Sequence, residues 1–265
     1  MMDREMARQC FMDYVKDYDC TNPMISHKVT HTFHVADLAE RIAMEAAGGG
    51  DCADFSWFLG LLHDIGRFEQ VRQYGTFVDS QSVDHAQLGA DILFKDGLID
   101  RFPVQDLMPG WKAIAETAIR MHNQLALPAD MDEETRLFCQ ILRDADKIDI
   151  FRVVMELPFE KRIGKSKGLL TDTGEVSEEV MACVMEHRCV PRDARRSILD
   201  GMISHCCMAF ELVYEVSRRL AVENKDLMRM LEAAEKIACE RWGADASCTM
   251  KIVRREIEKS LGLAL

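Results

Sequence analysis

Apolar residues recur at helical spacing along nearly the whole of this chain, and almost no stretch alternates apolar with polar as a half-buried strand would. With only six prolines in 265 residues, little interrupts such helices. In "SHKVTHTFHVADLAERIAMEAAGGG", Val35, Leu38, Ile42 and Ala46 form one stripe, Ser26 is placed to cap its start, and Gly48 to Gly50 end it. Residues 54–64 are nearly all apolar, which suits a buried segment and not a surface helix. Further helices are expected over 84–95, 111–122 and 132–156, then about 177–187, 193–222 and 225–262. The fold class is therefore all-α, a helical bundle with a helical C-terminal extension.

Residues 69–83, "EQVRQYGTFVDSQSV", read as a polar loop long enough to close over a ligand through Gln73, Tyr74 and Asp79. After residue 156 the character changes to a Gly-, Lys-, Thr- and Ser-rich loop region. The expected organisation is a first domain over 1–157 and an extension over 158–265, packed on it as one unit. Hydrophobic content of 48% and charged content of 29% are ordinary for a globular chain. The formal charge of −12 disfavours nucleic acid polymers and anionic membranes, which need a basic face. A small phosphorylated molecule remains open, because local cations or a metal can overrule the global sign. The ten cysteines contain no CxxC pair, and several, as in "RLFCQILRDAD" and "KIACERW", fit apolar helical patterns as small hydrophobes. Without a signal-peptide pattern or an apolar run of membrane-spanning length, the expected location is the cytoplasm.

The chemistry-bearing stretch is "LGLLHDIGRF", where an apolar run ends in His63 and Asp64. A helix C-terminus accounts for the pair, since His suits the negative end of the dipole and Gly66 supplies a stop. So does a metal, which needs neighbouring N and O donors on a rigid element. Other histidines bear on the choice. His31 shares the stripe of Val35 and Leu38, His85 is in line with Leu88, Gly89 and Ile92, and His122 with Trp111, Ala115 and Ala118. His34 falls on the solvated side, and His27, one turn before His31, fits either. A single inward histidine is ordinarily a hydrogen-bonded core residue. Four at one depth beside an aspartate would cost roughly 1–3 kcal/mol for each unsatisfied group. A bound cation removes that cost, and mixed imidazole and carboxylate donors suit iron, manganese, zinc or nickel, not calcium. Another carboxylate is available in "QILRDADKIDIF". With Leu137, Ile141, Ile148 and Met155 as the buried face, Asp144 falls on that face and Asp146 points away, although a helix buried on several sides would let Asp146 face a central site.

The order His31, His63-Asp64 and an aspartate in "RDADKID" resembles the HD-domain superfamily of metal-dependent hydrolases, over roughly residues 20–157. "HTFHVADLAERIA" is similar to that family's opening helix and selects His31. "LLHDIGRF" is similar to its dyad segment. "RDADKID" is similar to its closing segment, where the aspartate before the basic residue is the ligand; this selects Asp146 and leaves Asp144 behind it. "DHAQLGADIL" and "AIRMHN" resemble the segments by which dinuclear members add histidines, here His85 and His122. The resemblance implies two metal ions bridged by Asp64, one also held by His31, His63 and Asp146, the other by His85 and His122. Nothing after His122 resembles the GYP segment of cyclic-di-GMP phosphodiesterases, which disfavours that substrate.

The activity so implied is hydrolysis of a phosphate ester, a small monoester, diester or nucleotide, by a metal-activated water. Arg67, one turn past the dyad, and Lys147, beside Asp146, are the candidate donors to the remaining charge. The same ligand order is similar to that of HD-fold di-iron oxygenases, an alternative from another class. A non-catalytic domain in which metal or nucleotide is structural or regulatory is a third. The helical C-terminal part offers a surface for a homodimer.

Overall fold

The computed structural model describes residues 2–156 and 170–263, and among them the chain is all-α, with one isolated bridge between Thr171 and Ser197 in place of any sheet. By its contacts it divides into two compact units, Met1–Asp146 and Lys147–Leu265. The loop region after residue 156 and the boundary expected at 157/158 lie outside the described residues until Leu170.

The first unit contains α1 (Arg4–Val15), α2 (Pro23–Ala46), α3 (Asp51–Leu62), α4 (Ile65–Tyr74), α5 (His85–Ala90), α6 (Trp111–Met121) and the first part of α7 (Glu133–Glu156). Helix α2 starts earlier than Ser26: Asn22 is its cap, accepting from the Met24 amide, and Pro23 takes the first turn, where a missing N–H costs nothing. Every residue of α3 from Ala53 to Leu62 is buried, so this helix is the centre of the unit. Gly60 is what lets α2 lie against it, since a Cβ there would come within 2.5 Å of the Ala36 Cα. Phe11 of α1 closes one side, edge-on to Phe33 and Phe68 at 5.5 and 5.8 Å. Phe11 and Phe68, both fully buried, each contribute roughly 1.5–3 kcal/mol over the exposed state.

The polar stretch expected as a loop from residue 69 is instead helical to Tyr74, and Gly75, in the left-handed region at φ 64°, ends it. Glu69 and Gln70 look solvent-facing in sequence but are buried with partners, Glu69 with Tyr18 and Gln73, and Gln70 with Asp79, Ser82 and the Val83 carbonyl. Gln73 and Tyr74 therefore belong to α4, and only Asp79 lies in the loop that follows.

The second unit contains α8 (Glu178–Met185), α9 (Ile198–Cys206), α10 (Glu215–Glu223), α11 (Asp226–Trp242) and α12 (Ala244–Ser260) after the end of α7. The single helix expected over 193–222 is broken, because Ser197 and Asp200 form a reciprocal cap that starts α9 afresh. The one expected over 225–262 breaks at Gly243, whose φ of 94° no ordinary helical residue adopts. Cys139 is buried as expected, but Cys239 is exposed, one position off the α11 face formed by Leu227, Leu231, Ala234 and Ala238. Among the described residues no helix is long and apolar enough to cross a membrane.

Candidate metal centre

Five separate pieces of the first unit bring imidazoles and carboxylates to one buried place. His31 comes from the middle of α2, and His63 ends α3. Asp64 leaves helical geometry, with φ −107° and ψ 18°, before α4 begins. That break aims adjacent side chains at the same point, where a continuous helix would splay them about 100° apart. Asp64 makes no side-chain capping bond to α4, which leaves its carboxylate free to face the cluster. His85 is the first residue of α5, whose start Asp84 caps through the Ala86 and Gln87 amides. His122 ends α6, and Asp146 comes from α7.

The donor atoms fall into two groups that share Asp64. In one, His31 Nε2 lies 3.3 Å from His63 Nε2, and Asp64 Oδ2 is 3.5 and 3.3 Å from the two. Asp146 Oδ1 stands 3.2 Å from His31 Nε2 and 3.8 Å from His63 Nε2. In the other, His85 Nε2 lies 3.1 Å from His122 Nε2, and Asp64 Oδ1 is 3.5 and 3.9 Å from them. The two oxygens of one carboxylate thus face two different histidine pairs. His31, His63, Asp64, His85 and His122 are all buried. A third grouping, Asp79, Asp84 and His85, lies further out, and both of its acids have other work: Asp79 accepts from His85 Nδ1, and Asp84 caps α5.

The tautomers follow from the outer bonds. His63 Nδ1 donates to the Gly60 carbonyl and His122 Nδ1 to the Ile119 carbonyl, both at 2.7 Å, while His85 Nδ1 donates to Asp79 Oδ2 at 2.8 Å. With Nδ1 carrying the proton, each Nε2 presents a bare lone pair inward. Protonating His122 or His85 is no escape. Burial, helped by the neighbouring His85 and His63, pushes His122 down to about 3, and burial with the nearby Arg67 charge lowers His85. Burial alone would raise the Asp64 carboxyl, but the Lys28 ammonium and the His63 and His31 rings overcome it and hold it well below the ordinary carboxylate range. Burial likewise opposes, and His31 and His63 reverse, the shift at Asp146, which also ends far below that range. Around His85 and His122, acceptors facing acceptors at 3.1–3.9 Å repel unless a cation stands between them. Ligand bonds of about 2.1 Å give tetrahedral or octahedral edges of roughly 3.0–3.4 Å, close to these separations. The residues present fit divalent transition metal.

Among the expected site residues, His31, His63, Asp64, His85, His122 and Asp146 converge. The one-face count on α7, which favoured Asp144 and turned Asp146 away, is corrected: residues 141–145 and 147–149 are all buried, so this helix has no single inner face. Asp144 is fully buried, and it is Asp146 whose Oδ1 stands 3.2 Å from His31 Nε2. Arg67 reaches the cluster, with Nε 3.5 Å from Asp64 Oδ1, but its Nη1 is bonded to Gln70, the Phe77 carbonyl and Asp79. Lys147 is buried with its ammonium 3.0 Å from Glu211. The ammonium that does meet Asp64 belongs to Lys28, which the sequence reading passed over. Its signal was the spacing of three residues before His31, which puts both on one helix face. Lys28 and Arg67 both lie over the Phe77 ring, at 5.6 Å each.

Fold and site together define an all-α domain built around a buried histidine–aspartate cluster able to bind divalent metal. Residues 29–150 match the family described as the HD domain, in keeping with the helical fold and the histidine–aspartate cluster of this segment. The match runs from within the His31 helix to just past Asp146 and leaves residues 1–28 and 151–265 uncovered. No curated protein and no solved structure matches the chain.

Proposed function

We propose that this protein hydrolyses a phosphate ester of a small molecule or nucleotide, using two divalent transition metal ions bridged by Asp64. The observation that carries this reading is the splitting of that carboxylate, Oδ2 toward His31 and His63 and Oδ1 toward His85 and His122. Bound there, the ions would supply Lewis-acid charge and a water acidic enough to ionise near neutral pH.

The chain's own residues supply the rest. His85 and His122 hold lone pairs inward beside His31 and His63, and Asp64 and Asp146 bring two carboxylates held well below the ordinary range. Lys28 places an ammonium on a four-carbon stem at the edge of the cluster, where it can meet a phosphoryl oxygen. Arg67 is held rigidly by its three Nη1 bonds and adds fixed positive charge beside Asp64. Together they give an anion a favourable local field in a chain whose formal charge is −12.

The test is elemental analysis of the purified protein joined to a panel of phosphomonoesters, phosphodiesters and nucleotides. Two ions per chain, and turnover that His63→Ala and Asp64→Ala abolish while circular dichroism shows the fold intact, are expected. A folded protein holding two ions that turns over nothing in the panel would refute the hydrolase reading.

A further inference from the structure

The two ion positions are not supported alike, and the difference lies outside the ligands. His63 and His122 each close the end of a helix, so each finds a carbonyl of its own preceding turn, Gly60 or Ile119, to receive its Nδ1 proton. His85 opens a helix and has no preceding turn. Its Nδ1 proton must go elsewhere, and it goes to the Asp79 carboxylate in the loop of residues 75–83.

Asp79 is itself clamped. Its Oδ1 accepts from Arg67 Nη1 at 2.8 Å and from Gln70 Nε2 at 2.9 Å. Arg67 Nη1 also holds the Phe77 carbonyl at 2.7 Å, and Gln70 Nε2 holds Ser82 Oγ and the Val83 carbonyl at 2.9 Å each. Two residues of α4, the helix that starts directly after Asp64, thereby fasten the loop that orients His85.

We infer that Asp79 is a positioning residue for His85, and that through it the loop of residues 75–83 sets the affinity of the His85–His122 ion without acting on the His31–His63 ion. A carboxylate behind an imidazole fixes the ring and makes its other nitrogen a stronger donor than a carbonyl does. The inference reassigns Arg67 as well, since its Nη1 serves Asp79. It rests on the two-ion reading above.

The experiment is calorimetric titration of metal-stripped protein with Co2+, in the full chain, for wild type, Asp79→Asn and Asp79→Glu, with circular dichroism as the check on folding. Asparagine keeps the size and an acceptor oxygen but removes the charge. Expected are two binding events in wild type, and in Asp79→Asn one event of unchanged affinity with the other weakened about 10–100-fold. Asp79→Glu should recover part of that loss, which a merely structural change in the loop would not do. Two unchanged affinities in folded Asp79→Asn overturn the inference and leave the two-ion reading standing. Equal weakening of both events overturns the claim that the loop acts on one ion. A single event in wild type removes the two-ion reading itself.

Discussion

Gly66→Ala perturbs the cluster without touching a ligand. A Cβ on Gly66 would lie 2.2 Å from the His85 carbonyl oxygen, 2.6 Å from the Gly89 nitrogen and 3.0 Å from the Gly89 Cα. All three are backbone atoms, so no side-chain rotation relieves the overlap, and α5 must retreat from α4 by roughly an ångström. Overpacking of this kind costs about 1–3 kcal/mol. Replacing glycine by alanine inside a helix returns about 1 kcal/mol. The net expectation is a loss of up to about 2 kcal/mol. The larger effect is on the site, because His85 moves with α5. A shift of about 1 Å separates its Nε2 from the His122 Nε2, now 3.1 Å away, and a misplacement of that size costs on the order of 100-fold in rate. Urea denaturation gives the stability change, and Co2+ titration with phosphoester turnover gives the site effect. Gly201→Ala is the comparison, since its nearest neighbour is a Leu170 side-chain carbon at 3.3 Å, which can yield. If Gly66→Ala matches wild type in midpoint, ion affinities and rate, the argument from close backbone approach fails.

Other consequences can be checked by similar means. The folded His122 pKa of about 3 lies below the unfolded value of about 6.5, so its contribution to metal-free stability is complete above 6.5 and is lost as pH falls toward 3. By pH 4.5 that loss reaches about 3 kcal/mol, and metal-free His122→Gln should show a shallower decline in urea midpoint between pH 7 and 4.5. Lys28→Met should lower kcat/KM for a phosphoester at least about tenfold while two ions are still taken up, because the ammonium serves the substrate anion and not the ions. Asp146→Asn should weaken the His31–His63 ion, whereas Asp144→Asn should leave both ions in place; the reverse pattern in a Co2+ titration would return the ligand role to Asp144.

Much of the fold was legible because helices bury stripes, and stripes such as Val35, Leu38 and Ile42 show in sequence. What misled was polarity taken as exposure. Glu69 and Gln70 lie inside because each meets donors or acceptors from distant segments, Tyr18 in one case and Asp79 in the other. No local pattern carries that information. The breaks at Ser197 and Gly243 were readable, by contrast, since Ser197 with Asp200 is a capping pair and Gly243 a natural stop. Periodicity ran across both because apolar residues continue on either side.

The site divides along the same line. Each donor in the cluster sits at the end, the start or the middle of a helix whose pattern the sequence displays, so the order of motifs could bring His31, His63, Asp64, His85 and His122 together before any coordinates did. Asp146 defeated the one-face count because α7 is wrapped by neighbours over residues 141–149, and amphipathic reasoning assumes a solvent side. Lys28 was within reach of helical arithmetic, one turn from His31. Asp79 was not, since it arrives on a loop fastened by two side chains of α4. The donors themselves are therefore a property of helices, and the tuning of His85 is a property of side chains that fasten a loop. A change in the loop can then alter one ion's affinity while the helical frame and its other donors stay as they are.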